Sequence, residues 1–241
     1  MSSIDLERLI MLQVDNPFIV KMEFVFQNNL RVYFVMEYVP GGELFQYMKQ
    51  MRRFSQKQTV FYSAQIALAL QHLHQSEIMY RDLKPENILV GKDGYLKLSD
   101  FGLAKLAQES NSFCGTPEYI SPEILLGTGH DHTSDWWALG ILIYEMLTGI
   151  PPFYDKNRNK MFLNIERGKI RWPDHEKHGI SVSEEAQDLI TKLLDRDRTK
   201  RLGANGGEEV LAHPFFSSVN LNDLIDKKIK APFLPKTTDP E

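Results

Sequence analysis

Cysteine occurs once in the 241 residues, at Cys114, which excludes an intrachain disulfide and any zinc site built on several thiolates. A lone thiol fits a reducing compartment. Excess positive charge is also missing: 28 Lys and Arg stand against 32 Asp and Glu, for a net charge of -4, and the pI is near 6.0. Such a chain has no overall basic field to draw nucleic acid or an anionic membrane, so no nucleic-acid partner is expected. No segment is of low complexity or dominated by Pro, Gly or Ser. The opening Met-Ser-Ser-Ile-Asp-Leu-Glu-Arg lacks the apolar core of a signal peptide, and the longest apolar stretches carry too many charges to span a bilayer. These absences predict an intracellular chain, cytoplasmic with the nucleus open to it, neither secreted nor membrane-spanning. The remainder is that of an ordinary globule, 42% hydrophobic and 25% charged. It is long enough for one large domain or two small ones, with disorder expected only at the ends.

Hydrophobic spacing divides the chain. Ser3 to Val14 reads as a short helix, with Ile4, Leu9 and Ile10 on adjacent positions and Asp5, Glu7 and Arg8 between them. Val20 to Phe26 and Leu30 to Met36 read as strands of an antiparallel hairpin, joined by the turn-prone Gln27-Asn28-Asn29. Pro40-Gly41-Gly42 breaks this pattern like a hinge, and most of the chain beyond it reads as helix. Ser55 with Gln58 three residues on is a capping box that opens a long helix to about Ser76. Ile88-Leu89-Val90 and Tyr95 to Leu98 flank the turn Lys92-Asp93-Gly94 and predict a small hairpin. Asp135 to Leu147 is apolar nearly all round, as a central buried helix requires. Ser183, followed by two glutamates, caps a further helix. The proline-rich stretch from Ala231 fits neither helix nor central strand and is expected to lie extended over the surface.

The chemistry concentrates in Tyr80-Arg-Asp-Leu-Lys-Pro-Glu-Asn87, then the small hairpin, then Asp100-Phe101-Gly102. This order resembles the protein kinases: a catalytic-loop Asp, an Asn five residues on, and a metal-binding Asp-Phe-Gly. An isolated Asp-Phe-Gly is a weak signal, but both motifs bridged by a hairpin are a specific one. The fold so implied is α+β, a two-lobe kinase fold with a complete, mainly helical C-lobe and a partial N-lobe of one helix and two strands. Residues 1–39 would form the partial N-lobe, 40–218 the C-lobe and 219–241 a C-terminal tail segment. Transfer of a phosphoryl group to a hydroxyl needs a carboxylate that takes the hydroxyl proton, and Asp82 occupies that place. Asn87 and Asp100 supply hard oxygens for Mg2+, and Lys84 stands beside the γ-phosphate of ATP. Tyr80, where most kinases have His, resembles the AGC group, and its ring is expected to pack as a core aromatic.

The resemblance covers essentially the whole chain. Glu37-Tyr38-Val39 corresponds to the hinge, whose backbone would bind adenine, with Met36 as gatekeeper, Leu89 as floor, and Glu43 and Ser99 completing the nucleotide site. Phe113 to Glu123 resembles the activation segment, with Glu123 expected to pair with Arg201. Asp135 would hold the catalytic-loop backbone without reacting. Ser112 matches the AGC activation-loop phosphosite, served by an upstream kinase, where Arg81 and Lys105 could receive the phosphate. Glu43, Glu86 and Glu145 match positions that contact arginines ahead of the target residue, and Thr116 the threonine that favours Ser and Thr over Tyr. The implied partners are therefore protein substrates with basic residues near Ser or Thr. A solvated loop serine and ordinary surface glutamates are the plainer readings of Ser112 and these acids.

The family also calls for a glycine-rich loop over the phosphates and a lysine on a preceding strand, and neither occurs in the chain. Glu7 would then lack its lysine, and the strand ending at Met36 should offer an uncovered hydrogen-bonding edge beside an open nucleotide pocket. Two functions are implied: an ATP-dependent serine/threonine kinase, impaired in this form, or a scaffold that uses the large lobe to bind partners.

Overall fold

The structure is a computed structural model that describes residues 14–28, 31–100, 105–106 and 116–236. Of the helix expected from Ser3 to Val14 only Val14 is described, and it packs against the core.

Strands β1 (Met22–Gln27) and β2 (Val32–Met36) form the expected antiparallel hairpin, with a bulge between Met22 and Phe24. Asn28 shapes the turn by accepting the Arg31 N–H on its side chain (2.8 Å). The first strand starts later than Val20 because that stretch has another partner. Val20 N–H donates to the Leu98 carbonyl (2.9 Å) and Leu98 N–H to Phe18 (2.8 Å), which stitches residues 18–20 to the small hairpin beyond the hinge. Hydrophobic spacing reports a strand but not its neighbour. One hairpin face turns Val25 and Phe34 to the core. On the other, Phe24 opposite Val35 and Phe26 opposite Tyr33 are exposed. Among the described residues β2 pairs only with β1.

The remainder is mainly helical. Helix α1 (Leu44–Met51) follows the hinge. Helix α2 (Gln56–Gln75) starts at the capping box: Gln58 N–H donates to Ser55 Oγ (3.3 Å) and Ser55 N–H to Gln58 Oε1 (2.8 Å). Strand β3 (Ile78–Met79) leads into the loop at Tyr80 and pairs with β6 (Lys105–Leu106). Strands β4 (Ile88–Val90) and β5 (Leu96–Leu98) form the small hairpin. Short helix α3 (Pro122–Leu126) precedes α4 (Thr133–Thr148), which carries the fully buried Trp136 and Trp137 and packs on α2 and on α7 (Glu184–Leu193). Helices α5 (Arg158–Arg167) and α6 (His175–His178) lie between them in the chain, while α8 (Gly207–Leu211) and α9 (Leu221–Ile225) come after. Ser183 caps α7 through Ala186 N–H (3.2 Å).

The C-terminal stretch is extended, but it does more than cover the surface. Phe233 stacks on Tyr47 (4.9 Å between centroids) and meets Tyr62 (5.5 Å), while Ala231 is buried. The prolines rule out regular structure, and the apolar residues between them still find places in the core. No helix among the described residues is long and apolar enough to cross a membrane.

Candidate active site

The loop after β3 is held from the core outward. Asp135, in the first turn of α4, accepts Tyr80 N–H on Oδ2 (2.9 Å) and Arg81 N–H on Oδ1 (2.7 Å), and His74 Nε2 lies 2.7 Å from Oδ2. Arg81 adopts φ 70°, a left-handed conformation that costs a non-glycine residue about 1–3 kcal/mol unless its surroundings enforce it. The buried Asp135 enforces it, in the positioning role expected of this residue.

With the backbone so set, three side chains converge. Asn87 donates Nδ2 to the Asp82 carboxylate (2.7 Å) and carbonyl (2.9 Å), and Lys84 Nζ lies 2.9 Å from the same carboxylate. Asp82 and Asn87 are buried and Lys84 half-buried. Because Asn87 spends its amide nitrogen on Asp82, its oxygen is left for a cation. Asp100 follows β5, exposed and at φ 55°. Its neighbour Ser99 donates both N–H (2.9 Å) and Oγ (3.0 Å) to the Asn87 carbonyl, tying the two loops together. Tyr80 is the second tie: its ring is buried, as expected, and its hydroxyl donates to the Ser99 carbonyl. Burial lifts the Tyr80 phenol well above its ordinary 10.0, and the negative charges of Asp82, Asp100 and Asp135 lift it further. Asp82 and Asp100 thus act on one buried hydroxyl from two loops. The donors present, an amide oxygen and an exposed carboxylate, are hard oxygens of the kind that suit Mg2+.

The residues expected at the nucleotide are arranged around residues 37–42. Gly41 and Gly42 run alongside β4, where Gly41 N–H donates to Val90 (2.9 Å) and Val90 N–H to Gly42 (2.8 Å). A Cβ on Gly41 would meet the Val90 carbonyl at 2.2 Å, so only glycine permits this approach. Val39 is buried, and Leu89 is half-buried between the fully buried Ile88 and Val90, on the opposite side of β4. The Glu37 carboxylate accepts Lys21 N–H (2.7 Å) and Lys97 Nζ (2.6 Å). Met36 and Glu43 are exposed, and Glu43 bridges Leu89 through its backbone.

A second acidic group lies beyond Asp82. Thr116 precedes the single-turn helix Pro117–Tyr119 and lines a small cavity of ≈ 20 Å³ with Asp82 and Tyr119. The buried Tyr119 donates its hydroxyl to Glu145. Burial raises the Tyr119 phenol well above 10.0, with Glu145, Glu86 and Glu118 adding to the rise. The Glu145 carboxyl is itself raised, first by burial and then by Glu86 and Glu118. Glu86 and Glu145 therefore share one locality. Glu118 was missed in the sequence, although its place in Thr-Pro-Glu-Tyr, one residue before the phenol, carried the signal. Glu7, Phe101, Gly102 and Ser112 lie outside the described residues.

Glu123 and Arg201 form the expected pair, bidentate at 2.6 and 2.9 Å, with Ser134 Oγ adding a bond of 2.8 Å. Burial alone would raise the Glu123 carboxyl, but the Arg201 guanidinium outweighs it and holds the group below its ordinary 4.5.

Comparison with known proteins agrees with this geometry. The protein kinase domain family matches residues 2–216. Serine/threonine protein kinase ypkA of Aspergillus fumigatus is 46% identical over 233 residues, 95% of this chain and 36% of that protein. Serine/threonine-protein kinase gad8 of Schizosaccharomyces pombe is 46% identical over 95% of this chain and 40% of its own length. The cAMP-dependent protein kinase catalytic subunit PRKX of Homo sapiens is 46% identical over 95% of this chain and 63% of its own. The chain thus spans about one to two thirds of the length of these relatives. With the catalytic-loop aspartate, its asparagine and the aspartate after β5 gathered around Tyr80, the chain belongs to the protein kinase family, and within it to the AGC group of serine/threonine kinases.

Proposed function

We propose that the protein is an ATP-dependent serine/threonine kinase that transfers the γ-phosphoryl group to Ser or Thr hydroxyls in basic sequence contexts. The observation that carries this reading is the convergence of Lys84 and Asn87 on the Asp82 carboxylate. Asp82 orients the substrate hydroxyl and takes up its proton, while the Asn87 bond keeps the carboxylate facing the cleft. Lys84 meets the negative charge of the phosphoryl group. Asn87 and Asp100 would hold Mg2+, which neutralises phosphate charge when bound. The Glu37 carbonyl and Val39 N–H address adenine, with Leu89 beneath the ring, and Glu43 and Ser99 complete the nucleotide side.

Glu86 and Glu145, joined by Glu118, receive basic side chains of the substrate. Glu43 would reach a basic residue of the substrate or the ribose. Thr116 beside Asp82 favours the smaller hydroxyl residues. Phosphorylation of Ser112 by an upstream kinase would engage Arg81 and Lys105. Residues 1–39, 40–218 and 219–241 act as partial small lobe, large lobe and tail, in a cytoplasmic protein. A partner-binding scaffold would not require the Lys84 and Asn87 contacts to Asp82, which favours the enzyme.

The test is phosphate transfer from labelled ATP to an arginine-containing serine peptide. It is run with the chain alone and with a glycine-rich strand pair and a lysine-bearing strand fused ahead of it. Transfer is expected at least in the fused form, and Asp82→Asn should lower it by about a hundredfold or more. Transfer in neither form, or transfer indifferent to Asp82→Asn, would overturn the assignment.

A further inference from the structure

The end of α1 is pressed against the end of α4. Arg52, just past α1, takes φ 64°, a left-handed backbone that non-glycine residues seldom adopt. Its carbonyl oxygen would lie only 2.6 Å from a Cβ on Gly149. Gly149 ends α4 at φ 87° and donates its N–H to the Glu145 backbone carbonyl (2.7 Å), and Phe54 N–H donates to the Met146 carbonyl (2.6 Å). Arg52 is thereby fixed one turn from Glu145, and Lys49, three residues before it, is its neighbour on the helix surface. Together with Phe45, Met48 and Gly149 these residues line a recess of ≈ 390 Å³.

The charges within the recess are unequally engaged. Glu145 is taken by the Tyr119 hydroxyl, and the charges acting on it come from Glu86 and Glu118. Lys49 and Arg52 are exposed and have no ion-pair partner among the described residues. Asp82 is thereby connected to the recess: it lines one cavity with Thr116 and Tyr119, Tyr119 bonds Glu145, and Glu145 lines the recess with the two cations over an apolar floor.

We propose that this recess is a second specificity pocket of the substrate cleft, which takes an acidic side chain of the peptide, carboxylate or phosphate, beside the basic residue received by the glutamates. The inference rests on the basic-directed reading of the substrate cleft. Glu145 repels an anion while its own charge is uncompensated. A basic side chain bound at the glutamates removes that repulsion, so the two pockets are read together and not independently. The preferred peptide alternates in sign: hydroxyl acceptor, basic residue, acidic residue.

Binding of labelled peptides to the 241-residue chain tests this without requiring catalysis. Four peptides share one serine and carry no charged residue, a basic one, an acidic one, or both. The acidic residue, Glu in one series and phosphoserine in another, is moved through the three positions beyond the basic residue on either side. The basic peptide should bind more tightly than the neutral one. The doubly charged peptide should gain a further threefold to fivefold, about the size of a well-placed exposed ion pair, at one position only. The acidic residue alone should give no gain. Lys49→Gln combined with Arg52→Gln should erase the second gain and keep the first, with an unchanged Tm, and Lys49→Glu with Arg52→Glu should turn the gain into a penalty. No second gain at any position, or a gain that survives Lys49→Gln/Arg52→Gln, overturns the second pocket alone. A basic peptide that binds no better than the neutral one overturns the basic-directed reading and this inference with it. Gain from phosphoserine but not from Glu narrows the class to phosphorylated substrates.

Discussion

Two buried or half-buried glutamates, Glu123 and Glu145, sit in environments of opposite effect, and acid should separate them. Glu123 has a folded pKa below its ordinary 4.5, because Arg201 outweighs burial. Its stabilisation is complete above the unfolded value and is lost as pH falls through the lower folded one. Glu145 has a folded pKa above 4.5, so any stabilisation linked to its proton is present below the unfolded value and disappears as pH rises through the folded one. Glu123→Gln should therefore flatten the acid limb of a Tm-against-pH profile, and Glu145→Gln should lift stability at neutral pH relative to acid. Arg201→Ala, which strands a buried carboxylate, should cost about 3–5 kcal/mol by denaturant titration. The residues within one short segment were legible in advance, because Asp82, Lys84 and Asn87 stand together in the motif that resembles the kinase catalytic loop. The Tyr119 to Glu145 bond was not, since 26 positions separate its partners and no local periodicity links a phenol to a distant carboxylate. Ser99 was anticipated beside the nucleotide but acts first as a tie to the Asn87 carbonyl, a role only coordinates can display.

Elements announced by their ends were read correctly. Ser55 and Gln58 foretell the start of α2, and both reciprocal bonds are formed. Ser55→Ala should cost about 1 kcal/mol, measured as a shift in denaturation midpoint at unchanged slope. Ser183 works the same way at α7. Elements defined by partners were read less well. The stretch from Val20 has strand character, but residues 18–20 pair with Leu98, and the choice between two sheet partners lies in tertiary packing. The tail shows the complementary case. Its prolines correctly forecast an extended course, while the seat of Phe233 among Tyr47, Phe54 and Tyr62 depends on three aromatics drawn from α1, α2 and the segment between them.

At the scale of the molecule, the part that carries the β1–β2 hairpin is joined to the helical body by the bonds of residues 18–20 to Leu98, by Glu37 with Lys97, and by Phe18 stacked on Tyr95. The outward face of that hairpin, Phe24, Phe26, Tyr33 and Val35, leaves apolar area in water, which favours self-association. Phe24→Lys with Phe26→Lys should reduce light scattering of concentrated solutions and leave Tm nearly unchanged. Unaltered scattering would point to another sticky surface. The α+β layout was implied by the resemblance to protein kinases, and the central place of α4 was evident from a segment apolar nearly all round, because a helix with almost no polar face has nowhere to lie but inside.

The attachment of the reactive loop to α4 has one further consequence. Asp135 belongs to the most deeply enclosed helix and, through two amides of the neighbouring chain, dictates the conformation in which Asp82 is presented. Competence for chemistry is thus inherited from the integrity of the interior. During gradual unfolding by urea, disappearance of turnover should superimpose on the fluorescence change of Trp136 and Trp137, a single sigmoid reporting both.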